Sequence, residues 1–193
     1  SREIALEKSL LSLYRFYERR SWFQEGLVVF GRAAASLEAS FDSASQITGR
    51  KAVILGLLVS QQGWYSHRLG LSEEAKTFLQ KSLTILRPLG VRWELAKVLN
   101  ELGVVTYRAG DYVGAKQLYE ESLAVCRKLD ERRELAVILS NLGNVCRALG
   151  EYEQAKEFLQ ESVGAFRERG DQYSMAVSLN NLGEVFRALD DHL

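Results

Sequence analysis

The sequence predicts an all-α fold, a right-handed superhelical solenoid of antiparallel helical hairpins, and three observations carry that expectation. Leu102-Gly103, Leu142-Gly143 and Leu182-Gly183 recur at a spacing of 40 residues, and Gly63 continues the series one period earlier. Gly110 and Gly150 recur at the same interval, each followed by an acidic residue, as helix ends followed by helix starts do. Between these marks the apolar residues fall at helical spacing, and Pro88 is the only proline in 193 residues. A fixed period of this size is one supersecondary unit stacked on copies of itself. Such arrays present extended surfaces rather than closed pockets, so binding or scaffolding is expected before catalysis.

Taken in order, the elements are helices near 3–19, 22–38, 48–69, 71–87, 92–108, 112–128, 131–148, 151–168 and 171–189. Leu13, Tyr17, Phe23, Gly26, Phe30 and Ala33 fit a degenerate first hairpin over 1–39. A longer loop over 40–50 follows, rich in Ser, Asp and Gly. Hairpins are assigned to 51–90, 91–130 and 131–170, and the first half of a fifth to 171–193, all within a single array. Gly103 and Gly143 lie inside helices, where glycine costs about 1 kcal/mol relative to alanine. That cost makes sense where a second helix must approach the backbone. Ala115 and Ala155 are small for the same reason, while Tyr112, Tyr119, Tyr152 and Phe158 fill the space between helices. Trp22 and Trp93 read as packing residues. In the last helix Leu179, Leu182 and Phe186 form an apolar face with no second helix to cover it. Because the chain opens on Ser1 and stops inside a repeat, it is expected to be part of a longer protein.

Composition excludes several classes of function. Lysine plus arginine and aspartate plus glutamate balance at 25 each, so no overall field recommends nucleic acid or an anionic membrane. No run approaches the roughly 20 apolar residues of a membrane span, and Glu3, Glu7 and Glu18 are wrong for a leader peptide, so a cytoplasmic location is expected. Cys126 and Cys146 fall at different phases of the repeat, about 10 Å apart on antiparallel helices, which predicts buried thiols rather than a disulfide. His67 and His192 sit in no cluster with zinc spacing, and no metal or cofactor is implied. There is neither a phosphate-cradling loop nor a nucleophile elbow, so the chain is not expected to be an enzyme.

Leu102-Gly103 with Gly110-Asp-Tyr112-x-x-Ala115, and Leu142-Gly143 with Gly150-Glu-Tyr152-x-x-Ala155, resemble the frame of the tetratricopeptide repeat. The resemblance covers nearly the entire chain. It is weaker around Gly63, Gly70, Ala75, Phe78 and Leu83, where Ser72 replaces the aromatic. The 40-residue period departs from the common 34 and is similar to arrays of kinesin light chains, spindle-orientation adaptors and sensor domains of bacterial signal-transduction ATPases or transcription regulators. Leu13-Tyr-Arg-Phe-Tyr17 and Arg20-Ser-Trp-Phe-Gln-Glu-Gly26 look like the last of these.

In that family the first helix of each hairpin lines the concave face. Helical spacing from the glycines then puts Ser60, Trp64, His67 and Arg68; Asn100, Val104, Tyr107 and Arg108; Ser140, Asn144 and Arg147; and Asn180, Glu184 and Arg187 on that face. Asparagine offers a donor and an acceptor to a peptide backbone, and arginine a fork for carboxylates. The expected ligand is a protein or peptide segment of acidic character. Three alternatives stay open: peptide capture, inducer sensing in a multidomain regulator, and a spacer that self-associates through its C-terminal helix. Asparagine and arginine on a helix face are usually just solvated, and some of these asparagines could instead bond neighbouring helices; Glu73, Glu74, Lys76 and Lys81 read as a solvated convex face.

Overall fold

The computed structural model describes residues 2–41, 49–128 and 132–190. Within them the chain is helical without a strand: α1 (Arg2–Arg20), α2 (Phe23–Glu38), α3 (Gly49–Arg68), α4 (Ser72–Leu86), α5 (Arg92–Arg108), α6 (Tyr112–Arg127), α7 (Arg132–Ala148), α8 (Tyr152–Glu168) and α9 (Gln172–Asp190). Most of the loop expected at 40–50 lies outside the described residues. The helix bounds fall within a residue or so of those expected from the sequence. A short 3-10 turn, Arg87–Leu89, carries Pro88 and ends on Gly90. None of the described helices is long and apolar enough to cross a membrane.

The helices alternate with turns for a local reason. Gly110 and Gly150 have φ of +85° and +79°, the left-handed conformation that ends a helix and that side chains with a Cβ resist. Asp111 then caps α6, its carboxylate accepting from the Gly114 amide at 2.8 Å. Glu151 occupies the same place before α8 without capping it.

Two compact units, Ser1–Glu101 and Leu102–Leu193, divide the chain. In the first, α3 packs along α4 and against α2. Its core joins Phe30, Ala34, Ile54, Leu55, Leu58, Val59 and Tyr65. In contrast to α3 with α4, α1 does not close along the length of α2. In the second unit α7 packs along α8 and α8 against α9, around Cys146, Ala155, Leu159, Leu182 and Val185.

Glycine sets the depth of three hairpins, α3–α4, α5–α6 and α7–α8. A Cβ built on Gly63 would lie 2.7 Å from Leu79, and one on Gly103 2.5 Å from Tyr119. Gly143 meets Leu159 in the same way. Serines fasten the same helices: Ser82 donates to the Gly56 carbonyl at 2.7 Å and Ser162 to that of Ala136 at 2.9 Å, both fully buried. Ser122, at the equivalent position, is equally buried.

Several packing expectations need correction. Tyr119 is buried, but Tyr112 is over a third exposed and packs at the turn, 5.2 Å from the Tyr107 ring. Trp22 is not in the core: it is 45 % exposed, edge-on to Phe16 and under Arg20. Leu182 is buried, whereas Leu179 and Phe186 on the same helix are exposed.

Gly143→Leu is expected to lower stability by about 1–3 kcal/mol by overpacking, read as a fall in the melting temperature. Gly183→Ala, at the same repeat position but with open space around the added Cβ, should instead stabilise by up to about 1 kcal/mol through helix propensity. Equal effects at the two sites would show that the close approach at Gly143 does not govern the packing.

Candidate binding face

The ladder positions predicted from helical spacing differ sharply in what they touch. On α3, Ser60 is fully buried and donates to the Leu57 carbonyl at 3.0 Å, so it faces no ligand. Trp64 is half-buried, its Nε1 donating to Glu18 at 2.9 Å, and its ring lies 5.4 Å from His67. Arg68 is exposed, ion-paired with Glu18 at 3.4 Å, with its guanidinium 4.4 Å over the Phe23 ring. Thus an acid from α1 holds two members of this rung.

On α5, Asn100 is half-buried, and beside it Lys97 and Glu101 form an inward ion pair at 3.0 Å. Farther along the helix, in the second unit, Val104 and Tyr107 are half-buried and Arg108 is exposed.

On α7 and α9 the structure brings Ser140, Asn144, Arg147 and Glu184 into one neighbourhood. Ser178 of α9 donates to Ser140 at 3.1 Å. Arg147 Nη1 pairs with Glu184 at 3.1 Å, both side chains about one-third exposed. Asn144 Oδ1 and Arg147 Nε are buried and make no hydrogen bond within the protein. Buried polar groups are nearly always satisfied, so an unpaired acceptor and donor three residues apart on one helix are unusual. Asn180 and Arg187 stand exposed at the far side.

Sequence reasoning did not find the polar cluster of Lys116, Cys146 and Glu151. Lys116 donates to Glu151 at 2.5 Å and to Gln154 at 3.1 Å, binding α6 to the start of α8. This pair raises the Lys116 pKa and lowers that of Glu151. Burial, reinforced by the bond to Glu151, pushes the Cys146 thiol up to about 12. Both cysteines are buried thiols outside any disulfide, as their repeat phases indicated. The acidic residue one place after each closing glycine was visible in sequence, but its lysine partner 35 residues earlier was not.

Arranged this way, the molecule is a helical-hairpin repeat protein. The tetratricopeptide repeat model matches residues 94–168 and 134–193, just over half the sequence, and the chain belongs to that family. Among solved structures it is similar to BtubC (BKLC) from P. vanneervenii, 18 % identical, with a TM-score of 0.78 over 98 % of this chain and 75 % of that one. It is also similar to a kinesin-light-chain-type array of nearly identical TPR-like repeats from Podosopora anserina, 18 % identical, with a TM-score of 0.73 over 95 % of this chain and 87 % of the other. The apo form of RapI gives 0.73 at 14 % identity, over 92 % of this chain and 47 % of RapI. At these identities the likeness is one of fold. No curated protein matches by sequence.

The lowered pKa of Glu151 predicts a pH dependence of definite sign. The ion pair contributes stability above the carboxylate's ordinary pKa of about 4.3 and loses it as pH falls through the depressed value. For a pair at the surface this is at most about 1 kcal/mol. Glu151→Gln should therefore flatten the acid limb of the stability curve between about pH 5 and pH 3. Unchanged acid sensitivity would show that the pair adds nothing. Neither thiol should react with a disulfide reagent at pH 8 until the chain is unfolded.

Proposed function

We propose that the second unit captures an extended, acidic protein segment along Val104, Tyr107, Arg108, Ser140, Asn144, Arg147, Asn180, Glu184 and Arg187. As a tetratricopeptide repeat protein, the chain falls in a class of protein-interaction scaffolds, and this face is where its chemistry suits that role. The observation that carries the proposal is that Asn144 Oδ1 and Arg147 Nε, a buried acceptor and a buried donor three residues apart on α7, have no hydrogen-bond partner within the protein. A peptide backbone presents both complements, an amide N–H and a carbonyl, within one residue.

Arg147 remains available although Glu184 holds it. A one-third-exposed ion pair is worth about 0–1 kcal/mol, whereas a hydrogen bond to a charged group on a desolvated ligand is worth about 1.5–3. A ligand carboxylate could therefore exchange with Glu184 at little cost. Ser140, by contrast, is committed to Ser178 and supports the rung from behind.

Anisotropy with fluorescein-labelled Asp/Glu-rich peptides tests the proposal. Asn144→Ala with Arg147→Glu should weaken binding by about tenfold to a few hundredfold with helicity unchanged, while Glu157→Lys on the opposite helix leaves it alone. Equal affinities in the two variants would move the site off this face.

A second function is favoured by the apolar side of α9. Leu179 and Phe186 are exposed, Tyr173 is 81 % exposed, and nothing lies within 4 Å of a Cβ on Gly183. At Gly143 the equivalent space is filled by Leu159 of the next helix. A second copy of α9 offers a matching apolar face, so self-association through this helix is expected at high concentration. Phe186→Glu should abolish it in sedimentation, and a clean monomer with the native sequence would exclude it.

A further inference from the structure

The first helix does something that its sequence does not suggest. None of the described side chains of α1 is fully buried, yet α3 beneath it is buried without a break from Ala52 to Gly63. Leu57 and Gln61 on α3 are 7 % and 5 % exposed, while Val137, the repeat equivalent of Leu57, is 38 % exposed, and Asn141, that of Gln61, is half-buried. Side chains of α1 join those of Phe30 on α2 and of Trp93 and Lys97 on α5 over the α3 positions. Leu10 and Tyr14 line a small cavity with Leu57, Gln61, Trp93 and Lys97. The Tyr14 ring stacks 6.1 Å from that of Tyr65, and Lys97 Nζ lies 5.4 Å from its centre. One turn on, Glu18 accepts from Trp64 Nε1 and pairs with Arg68.

Leu10, Tyr14 and Glu18 are spaced four apart and so share one face of a helix. They put an aliphatic, an aromatic and a carboxylate side chain onto the first rung of the ladder, as an amphipathic helix in a groove does. The fit is incomplete. Gln61 Oε1, on a side chain that is 95 % buried, has no hydrogen-bond partner beneath α1. The Glu18–Arg68 pair is partly exposed, and a helix segment none of whose described side chains is fully buried opens locally at far lower cost than the core.

We propose that the face of α3 and the first turns of α5 is a helix-docking groove, that α1 is its exchangeable occupant in cis, and that its partner in trans is an amphipathic helix carrying Leu-x-x-x-Tyr-x-x-x-Glu. The exchange deepens the binding-face proposal at the first rung only. It does not involve Asn144 or Arg147, so the two can fail separately.

The test uses the full chain and a fluorescein-labelled peptide of residues 8–20 added in trans. Glu18→Arg frees the cis helix from its anchor, and this variant should bind the peptide at least tenfold more tightly than the native chain. Hydrogen exchange should show faster exchange in α1 with α3 and α4 still protected. Adding Arg68→Glu should remove the binding, and a peptide with arginine at position 18 should restore it. Asn144→Ala with Arg147→Glu should leave it unchanged. Equal binding to native and Glu18→Arg chains, no binding to either, or binding that survives Arg68→Glu would each overturn the exchange.

Discussion

The hairpins α3–α4, α5–α6 and α7–α8 each depend on a glycine that lets the second helix press onto the backbone of the first. Gly63, Gly103 and Gly143 each receive the side chain sixteen positions later, Leu79, Tyr119 and Leu159. Contact so close leaves no room for a Cβ, so an intrinsic helix cost of about 1 kcal/mol is offset by burial of a Leu or Tyr worth about 1.5–3. Serine completes the joint. The hydroxyls of Ser82 and Ser162 reach carbonyls one helix away, at Gly56 and Ala136, where the facing residue is small enough to expose its backbone. A glycine that brings the helices close and a serine that bonds across the gap are two halves of one constraint, and the ladder positions on the first helices are aimed by it.

That constraint explains which parts of the molecule were legible in the sequence. Helix positions and turns follow from local chemistry repeated every 40 residues, and the close approaches follow from glycines with no other reason to sit in a helix. The serines carried the same period and were visible, but a serine in an outer helix resembles a solvated one until its partner carbonyl is located. Trp22 was misplaced because an aromatic in a repeat is usually core, whereas here it stands outside against Phe16 and Arg20. The role of α1 was not legible at all. Its contacts join Glu18 to residues 46 and 50 positions away, and no local pattern encodes such distant partners.

The candidate ladder was legible as a set of positions but not as a set of free groups. Spacing placed Ser60 with Trp64, yet a turn of rotation buries the hydroxyl and leaves the indole half-open. Spacing also placed Ser140 beside Asn144 without showing that α9 would supply Ser178 to it. Ser60 and Ser140 are spent within the array, although the expectation concerned the asparagines, and Asn144 keeps a buried oxygen unspent.

Two of the ladder arginines share a feature that bears on recognition. Arg68 is held by Glu18 and Arg147 by Glu184, each a carboxylate of the same chain brought from another helix. Under the proposed function these internal carboxylates stand where a ligand acid would, in a molecule whose net charge is zero. Neither pair is deeply buried, so neither is an immovable structural bond. A ligand acid that replaces one of them neither creates nor leaves an unpaired charge at the arginine. Under the proposed function, discrimination comes from what surrounds the exchange: the half-buried ring of Trp64 on one rung, and the unpaired amide oxygen of Asn144 on the other.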